Sequence, residues 1–306
     1  MKVNGFGKKM RILITGGAGY LGSKLTETLL SQGYDVIVYD NLFFGSVGII
    51  PFLDNPKYKL IKNTINNLEL IETVIKSVDY VVHLAAIVGE PSCKQYESSV
   101  YSVNTGATEW ISKCAYNYDI PLLFLSTCSN YGKTDKVVRE DSPLEPLGLY
   151  ADSKIQAENI VLKNDHLVLR MSTLFGVSYR VRYDITINEF VSQYYRDKLL
   201  KVYGEDIWRP YLHVQDACNM IIECMEKDLQ GVYNVGFNDL NYQKKEIINT
   251  IVDYLGDGKL EYVNFDDPRD YKVNFDKIQK ELKYQCKFSL KDGIRELYEE
   301  IQRGMI

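Results

Sequence analysis

Thr15-Gly16-Gly17-Ala18-Gly19-Tyr20-Leu21-Gly22 decides the fold. Glycines at 16, 19 and 22 follow a short apolar run, residues 11–14, and precede an amphipathic stretch, residues 23–32. A strand that turns through glycines into a helix suits a dinucleotide. The glycines permit a tight turn and the close approach of a pyrophosphate, while the helix N-terminus offers N–H groups and its positive dipole end. Such turns also arise for steric reasons alone, so the context matters. A second strand, residues 35–39, ends in Asp40-Asn41, where an acid accepts hydrogen bonds from the adenosine ribose hydroxyls. A carboxylate there repels a 2′-phosphate, and residues 41–46 contain no Arg or Lys to hold one. The pattern predicts NAD, with Gly16, Gly19, Tyr20, Leu21, Gly22, Asp40 and Asn41 around it. The competing reading of Asp40 is a helix or turn cap.

Outward from this turn, strands alternate with helices. Residues 58–61, 80–84 and 121–126 read as strands, 68–76 and 102–116 as helices, and 167–169 and 232–235 as further strands. The alternation predicts an α/β fold with a doubly wound parallel sheet covered on both faces. After residue 176 the pattern changes to a helix over 185–198, a strand over 211–214 and a helix over 216–226. The tail reads as helical over 243–255, 276–282 and 290–302. The expectation is a Rossmann domain over residues 1–175, with return segments near 205–236. A smaller, mostly helical substrate domain over 176–306 is interleaved with it.

Composition narrows the class. The chain has 306 residues, 36 Lys+Arg against 41 Asp+Glu and a net charge of −5, with 45% hydrophobic and 25% charged residues. Disorder is excluded, and mild acidity speaks against nucleic acid or an anionic membrane as partner. Any anionic ligand must therefore meet a local cluster of cations. The six cysteines form no C-x-x-C pair, and only His83, His166 and His213 accompany them, so no metal site is expected and a reducing compartment is. Residues 1–10 show no apolar leader core and turn strand-like at once, and no stretch reaches the ~18 apolar residues that span a bilayer. The chain is expected in the cytoplasm.

Tyr150-Ala151-Asp152-Ser153-Lys154 places Tyr and Lys four apart, on one helical face. An ammonium near a phenol favours the phenolate and brings it toward use as a general base. With 24 tyrosines in the chain, the spacing alone says little. Leu125-Ser126-Thr127-Cys128-Ser129-Asn130-Tyr131-Gly132, upstream at the carboxyl end of a parallel strand, sharpens it. Together with His83-Leu84-Ala85-Ala86 and the glycine turn, these segments resemble the extended short-chain dehydrogenase/reductase family, the NAD-dependent nucleotide-sugar epimerases, dehydratases and dehydrogenases. The resemblance runs over essentially the whole chain.

It implies that Tyr150 is the base for a sugar hydroxyl, that Lys154 binds the nicotinamide ribose and tunes Tyr150, and that Thr127 bonds the same sugar oxygen. Ala85 and Ala86 would line the cofactor groove. Asn63-Thr64 stands where the family has Gly-Asp, which removes a usual carboxylate contact to adenine. A homodimer built on helices near 104–116 and 150–162 is implied as well.

The chain has only 10 arginines, and five lie between residues 170 and 209. Arg suits planar, bidentate phosphate recognition, although a single Arg is by default a solvated surface charge. Trp208-Arg209 through Asp216, and Asp267-Pro268-Arg269-Asp270, resemble the family segments whose arginines grip the substrate diphosphate. Arg209 and Arg269 take those roles by resemblance, and Arg180 and Arg182 are expected to line the same anionic cleft, with Thr173 beside the substrate. His213 has no partner acid or nucleophile motif and reads as structural.

In the family, 4,6-dehydratases carry Asp-Glu or Ser-Glu directly after the Thr. Here Cys128 and Ser129 stand there, which speaks against dehydratase and decarboxylase chemistry. What remains is redox at C4 of the sugar. Release of the ketone makes a dehydrogenase, and return of the hydride to the other face makes a 4-epimerase. Residues 86–93 and 170–176 look closest to bacterial enzymes that oxidise GDP-heptose at C4 for capsule synthesis. A non-catalytic NAD-binding sensor on the same fold stays open as a third reading, although it has no need of Thr127, Tyr150 and Lys154 together.

Overall fold

Runs such as Ile12-Leu13-Ile14 carry no polar side chain, so a strand made from them must be covered on both faces. A parallel sheet between two helical layers provides that cover. The computed structural model describes residues 9–256, 258–263 and 269–306. Residues 1–8, expected to turn strand-like, lie outside the described residues, as do Asp267 and Pro268 of the late arginine segment.

The strands are β1 (Arg11–Thr15), β2 (Asp35–Asp40), β3 (Tyr58–Lys62), β4 (Tyr80–His83), β5 (Leu122–Thr127), β6 (Lys133–Val138), β7 (Leu167–Met171), β8 (Thr173–Phe175), β9 (Leu199–Tyr203), β10 (Trp208–His213), β11 (Gly231–Val235), β12 (Asn241–Gln243), β13 (Lys259–Val263) and β14 (Asp270–Val273). Seven of them form one sheet in the order β11-β7-β5-β4-β1-β2-β3, with every neighbouring pair parallel. The chain winds outward from β1 through β3, then returns to β4 on the other side. Ligands of such sheets lie in the crevice at that reversal, outside the carboxyl ends of the strands.

One face of the sheet is covered by helices Tyr20–Ser31 and Val214–Lys227, the other by Leu68–Ile75, Ala107–Asn117 and Leu149–Lys163. The first helix starts at Tyr20, three residues ahead of the expected start at 23, because Gly19 already serves as its N-cap. Residues 102–116, expected as one helix, instead form a π-helical turn, Ser102–Gly106, followed by the helix Ala107–Asn117. The widened turn carries the buried Asn104, whose amide has work across the cleft, and such turns often mark functional positions.

A third buried cluster joins helices Thr186–Asp197, Lys244–Leu255 and Leu290–Gln302 to β9 and β10. Helices make up most of the regular structure after residue 176, as expected. Short strands also form the sheets β12-β10-β8, β13-β9 and β14-β6. Strands of three to six residues with polar faces, such as Lys133-Thr134-Asp135-Lys136-Val137-Val138 in β6, give almost no period-2 signal and are fixed by distant partners. The pairing of β14 with β6 brings Arg269 and Tyr271 against the segment that follows Thr127.

Candidate active site

The glycine turn is shaped by its neighbours. Gly16 has φ +73°, and a Cβ there would lie 2.8 Å from the Ala85 backbone N. At Gly22 a Cβ would stand 2.3 Å from the Gly16 carbonyl oxygen. Only hydrogens fit, so turn, helix and the end of β4 press together. The helix Tyr20–Ser31 takes no side-chain cap from Gly19, so its N-terminus keeps the cradle in which a dinucleotide pyrophosphate fits.

Asp40 closes the adenosine end. Its Oδ2 accepts from Ala18 N at 3.0 Å and its Oδ1 from Leu42 N at 2.8 Å. Burial raises its pKa, opposed by those two N–H groups and by the charge of Arg180. Asn41 folds back to accept from Phe43 N at 2.9 Å. At the unusual Asn63-Thr64 pair, the Thr64 carbonyl accepts from Tyr39 Oη at 3.0 Å.

The side chain of Tyr20 does not reach into the groove. It is buried, and its hydroxyl donates to the Gly176 carbonyl at 2.7 Å, tying the glycine turn to the segment after β8. Ser178 Oγ donates to Tyr20 O at 2.6 Å in the same contact. Leu21 is likewise buried in the core.

Tyr150 lies in the first turn of the helix Leu149–Lys163, half-buried, with the Thr127 side chain hydrogen-bonded to its phenol. Burial pushes the phenol up to about 12, and the Arg182 charge, then the Thr127 bond, pull it back. Lys154 is buried with Nζ 4.0 Å over the Phe124 ring, and burial lowers it to about 7, with Glu158 opposing. The cation that most favours the Tyr150 phenolate is thus Arg182, from a distant loop. His83, from the Ala85–Ala86 run, is buried between Thr15 Oγ1 at 2.6 Å and Thr108 Oγ1 at 2.9 Å. Burial lowers its pKa to about 3, so it is a neutral strut. Cys128 points away from the cleft, its thiol donating to the Arg170 carbonyl at 3.2 Å, and burial pushes its pKa well up.

The two arginines expected in one anionic cleft have different partners. Arg180 stacks over Phe44 at 4.5 Å and acts on Asp40 at the adenosine end. Arg182 is bound bidentately to Asp184, at 3.0 and 2.6 Å, and acts on Tyr150 at the other end. Two residues apart on the loop after β8, they remain close enough that burial and then the Arg182 charge lower the pKa of Arg180, and both act on Asp184. Arg209 is buried, bonded to the Arg269 carbonyl and 5.1 Å over the Tyr271 ring, so it and Arg269 do come together. Thr173, half-buried, pairs with Tyr211 across β8 and β10. His213 bonds Glu296 at 2.8 Å and stacks on Phe288, a structural position.

Two residues at this site had gone without a role in the sequence. Glu90 accepts a hydrogen bond from Tyr150 N at 2.9 Å across 60 positions, a separation that no local pattern encodes. Asn188 accepts from Gly176 N at 3.1 Å and donates to the Arg182 carbonyl at 3.0 Å, which holds the arginine loop.

Residues 12–236 match the Epimerase family, the NAD dependent epimerase/dehydratase family. UDP-glucuronic acid decarboxylase 1 of Arabidopsis thaliana is 25% identical over 318 residues, covering 98% of this chain and 71% of that one. The low-salt glycan biosynthesis protein Agl12 of Haloferax volcanii is 27% identical, over 93% of this chain and 96% of its own. The solved structure of dTDP-glucose 4,6-dehydratase from Bacillus anthracis in complex with NAD aligns with a TM-score of 0.85 at 29% identity, covering 96% of this chain and 97% of that one.

Proposed function

The chain belongs to the NAD-dependent epimerase/dehydratase family, and we propose that it oxidises the C4 hydroxyl of a nucleotide-activated sugar. A GDP-linked hexose or heptose destined for a surface polysaccharide is the favoured substrate, on the likeness of residues 86–93 and 170–176 noted above. The family works with NAD, which accepts the hydride from the sugar carbon when bound. Tyr150 takes the hydroxyl proton, Thr127 holds the same oxygen, Arg182 favours the charged phenol, and Lys154 binds the nicotinamide ribose. Arg209 and Arg269 hold the diphosphate, where planar donors suit phosphate oxygens.

The observation that carries this reading is the pair that follows Thr127. Two of the three relatives named above are a decarboxylase and a 4,6-dehydratase, and elimination or decarboxylation after the oxidation calls for further acid–base groups. Here a buried Cys128, its thiol bonded to the Arg170 carbonyl, and a Ser129 stand directly after Thr127. The site therefore has the parts for oxidation and lacks a carboxylate at those two positions for the later step. A cytoplasmic homodimer, joined through the helices near 104–116 and 150–162, goes with this reading.

The test is to incubate the enzyme and NAD with GDP-, UDP- and dTDP-sugars and follow the sugar by NMR. Loss of the C4 proton with a released ketone is the expected product. An inverted C4 moves the assignment to a 4-epimerase, and loss of water or carbon dioxide overturns it.

The electrostatics add a pH prediction. Arg182 lowers the pKa of Tyr150, so Arg182→Met raises it, and a base works only when deprotonated. The rising limb of the oxidation rate against pH therefore moves to higher pH in the variant. An unmoved limb, or one at lower pH, contradicts the placement of that charge.

A further inference from the structure

We propose that Glu90 is the positioning residue of the base: its carboxylate caps the helix Leu149–Lys163 at Tyr150 and fixes where the phenol stands. The helix cannot cap itself, because its N-cap residue is Gly148 and has no side chain to offer. Asp152 in its first turn is engaged elsewhere, accepting from Tyr101 Oη at 2.7 Å and Gln156 Nε2 at 2.7 Å. Glu90 fills the position from outside, its Oε1 accepting from Tyr150 N at 2.9 Å. A carboxylate on a helix N-terminus gains both a charge-assisted hydrogen bond and the helix dipole.

The approach is close. A Cβ on Gly148 would lie 2.3 Å from Glu90 Cδ and 2.4 Å from both carboxylate oxygens. Glycine at 148 is thus a condition of this contact, and its extended backbone is not strained by it.

Glu90 itself is held firmly. The segment before it is clamped by Asn104, which accepts from Ile87 N at 2.8 Å and donates to Ile87 O at 3.0 Å. Asn104 also donates to Ser153 Oγ at 3.1 Å, and Ser153 Oγ donates to the Tyr150 carbonyl at 2.8 Å. The backbone of Tyr150 is therefore gripped at its N–H by Glu90 and at its carbonyl by Ser153. Both grips lead back to the loop after β4, which leaves the phenol little freedom to drift from Thr127.

The inference rests on Tyr150 being the base. The experiment compares Glu90→Ala and Glu90→Gln with Tyr150→Phe, each checked by thermal melting and by NAD binding. Gln keeps an oxygen for Tyr150 N and loses the charge, whereas Ala loses both. Glu90→Ala is expected to lower kcat by on the order of 10²-fold, with KM for the nucleotide sugar and affinity for NAD near their original values. Glu90→Gln is expected to recover most of that loss. Full activity of Glu90→Ala beside a dead Tyr150→Phe overturns the role of Glu90 alone. A Glu90→Gln as impaired as Glu90→Ala overturns it too, because charge and not position then matters. An active Tyr150→Phe fails the underlying reading instead.

Discussion

Tyr150→Phe keeps its affinity for NAD and nucleotide sugar and loses turnover by about 10²–10⁴-fold, the share that a positioned proton acceptor contributes. The ring is half-buried and only its hydroxyl meets Thr127, so removing one oxygen leaves the packing unchanged. Burial holds the phenol at about 12, so in the free enzyme it is protonated at neutral pH. Oxidation by the unaltered enzyme is accordingly expected to speed up as pH rises. Steady-state kinetics beside NAD titration separates the outcomes. Near-normal turnover removes Tyr150 as the base, and loss of NAD binding assigns it a different role.

Glu158→Ala destabilises the protein by about 3–5 kcal/mol, the cost of leaving a buried charge without its partner. Arg170 on β7 and Glu158 on the tyrosine helix are both buried, with Arg170 Nε at 3.0 and 3.2 Å from the two carboxylate oxygens. Arg170 Nη1 continues to Tyr131 Oη at 2.7 Å and the Glu140 carbonyl at 2.9 Å, while Ser126 Oγ donates to Glu158 at 2.8 Å. With the carboxylate gone, the guanidinium keeps its charge and only its bonds to Tyr131 and Glu140, losing the three to Glu158. Replacing both residues together, as Glu158→Met with Arg170→Met, is expected to recover much of the loss, because well-packed apolar groups replace a buried pair at little cost. Urea unfolding measures both. A single-variant loss below about 1 kcal/mol, the range of an exposed pair, contradicts this account. The pair also joins the helix of Tyr150 to the strand beside β5, so it helps set the distance between Tyr150 and Thr127.

These two residues show what the sequence could and could not convey. The glycine turn, Asp40 at the end of β2 and the helix from Tyr150 to Lys154 are legible because each is local. Apolar alternation, glycine spacing and a four-residue step are written in consecutive positions. The family likeness then placed Thr127 beside Tyr150, and the structure brings them into contact.

Contacts made across long separations were not legible. Spacing suggests Lys154 as the nearest cation to the phenol, yet its Nζ lies over Phe124 while Arg182 swings in from another loop. The sequence likewise offers Tyr20 as a cofactor contact, whereas its hydroxyl reaches Gly176 across 156 positions. The small sheets of the second region escaped because their strands are short: β14 alternates over only four residues, and its partner β6 is mostly polar and exposed.

The most direct test of C4 oxidation is isotope transfer in the first turnover. The enzyme is mixed with NAD and a nucleotide sugar it converts, labelled with deuterium at C4, and quenched before the cycle closes. Mass spectrometry of the recovered nicotinamide is expected to find the deuterium on the reduced ring. A reduced ring free of deuterium, beside a sugar that still carries the label at C4, would show that another carbon is oxidised.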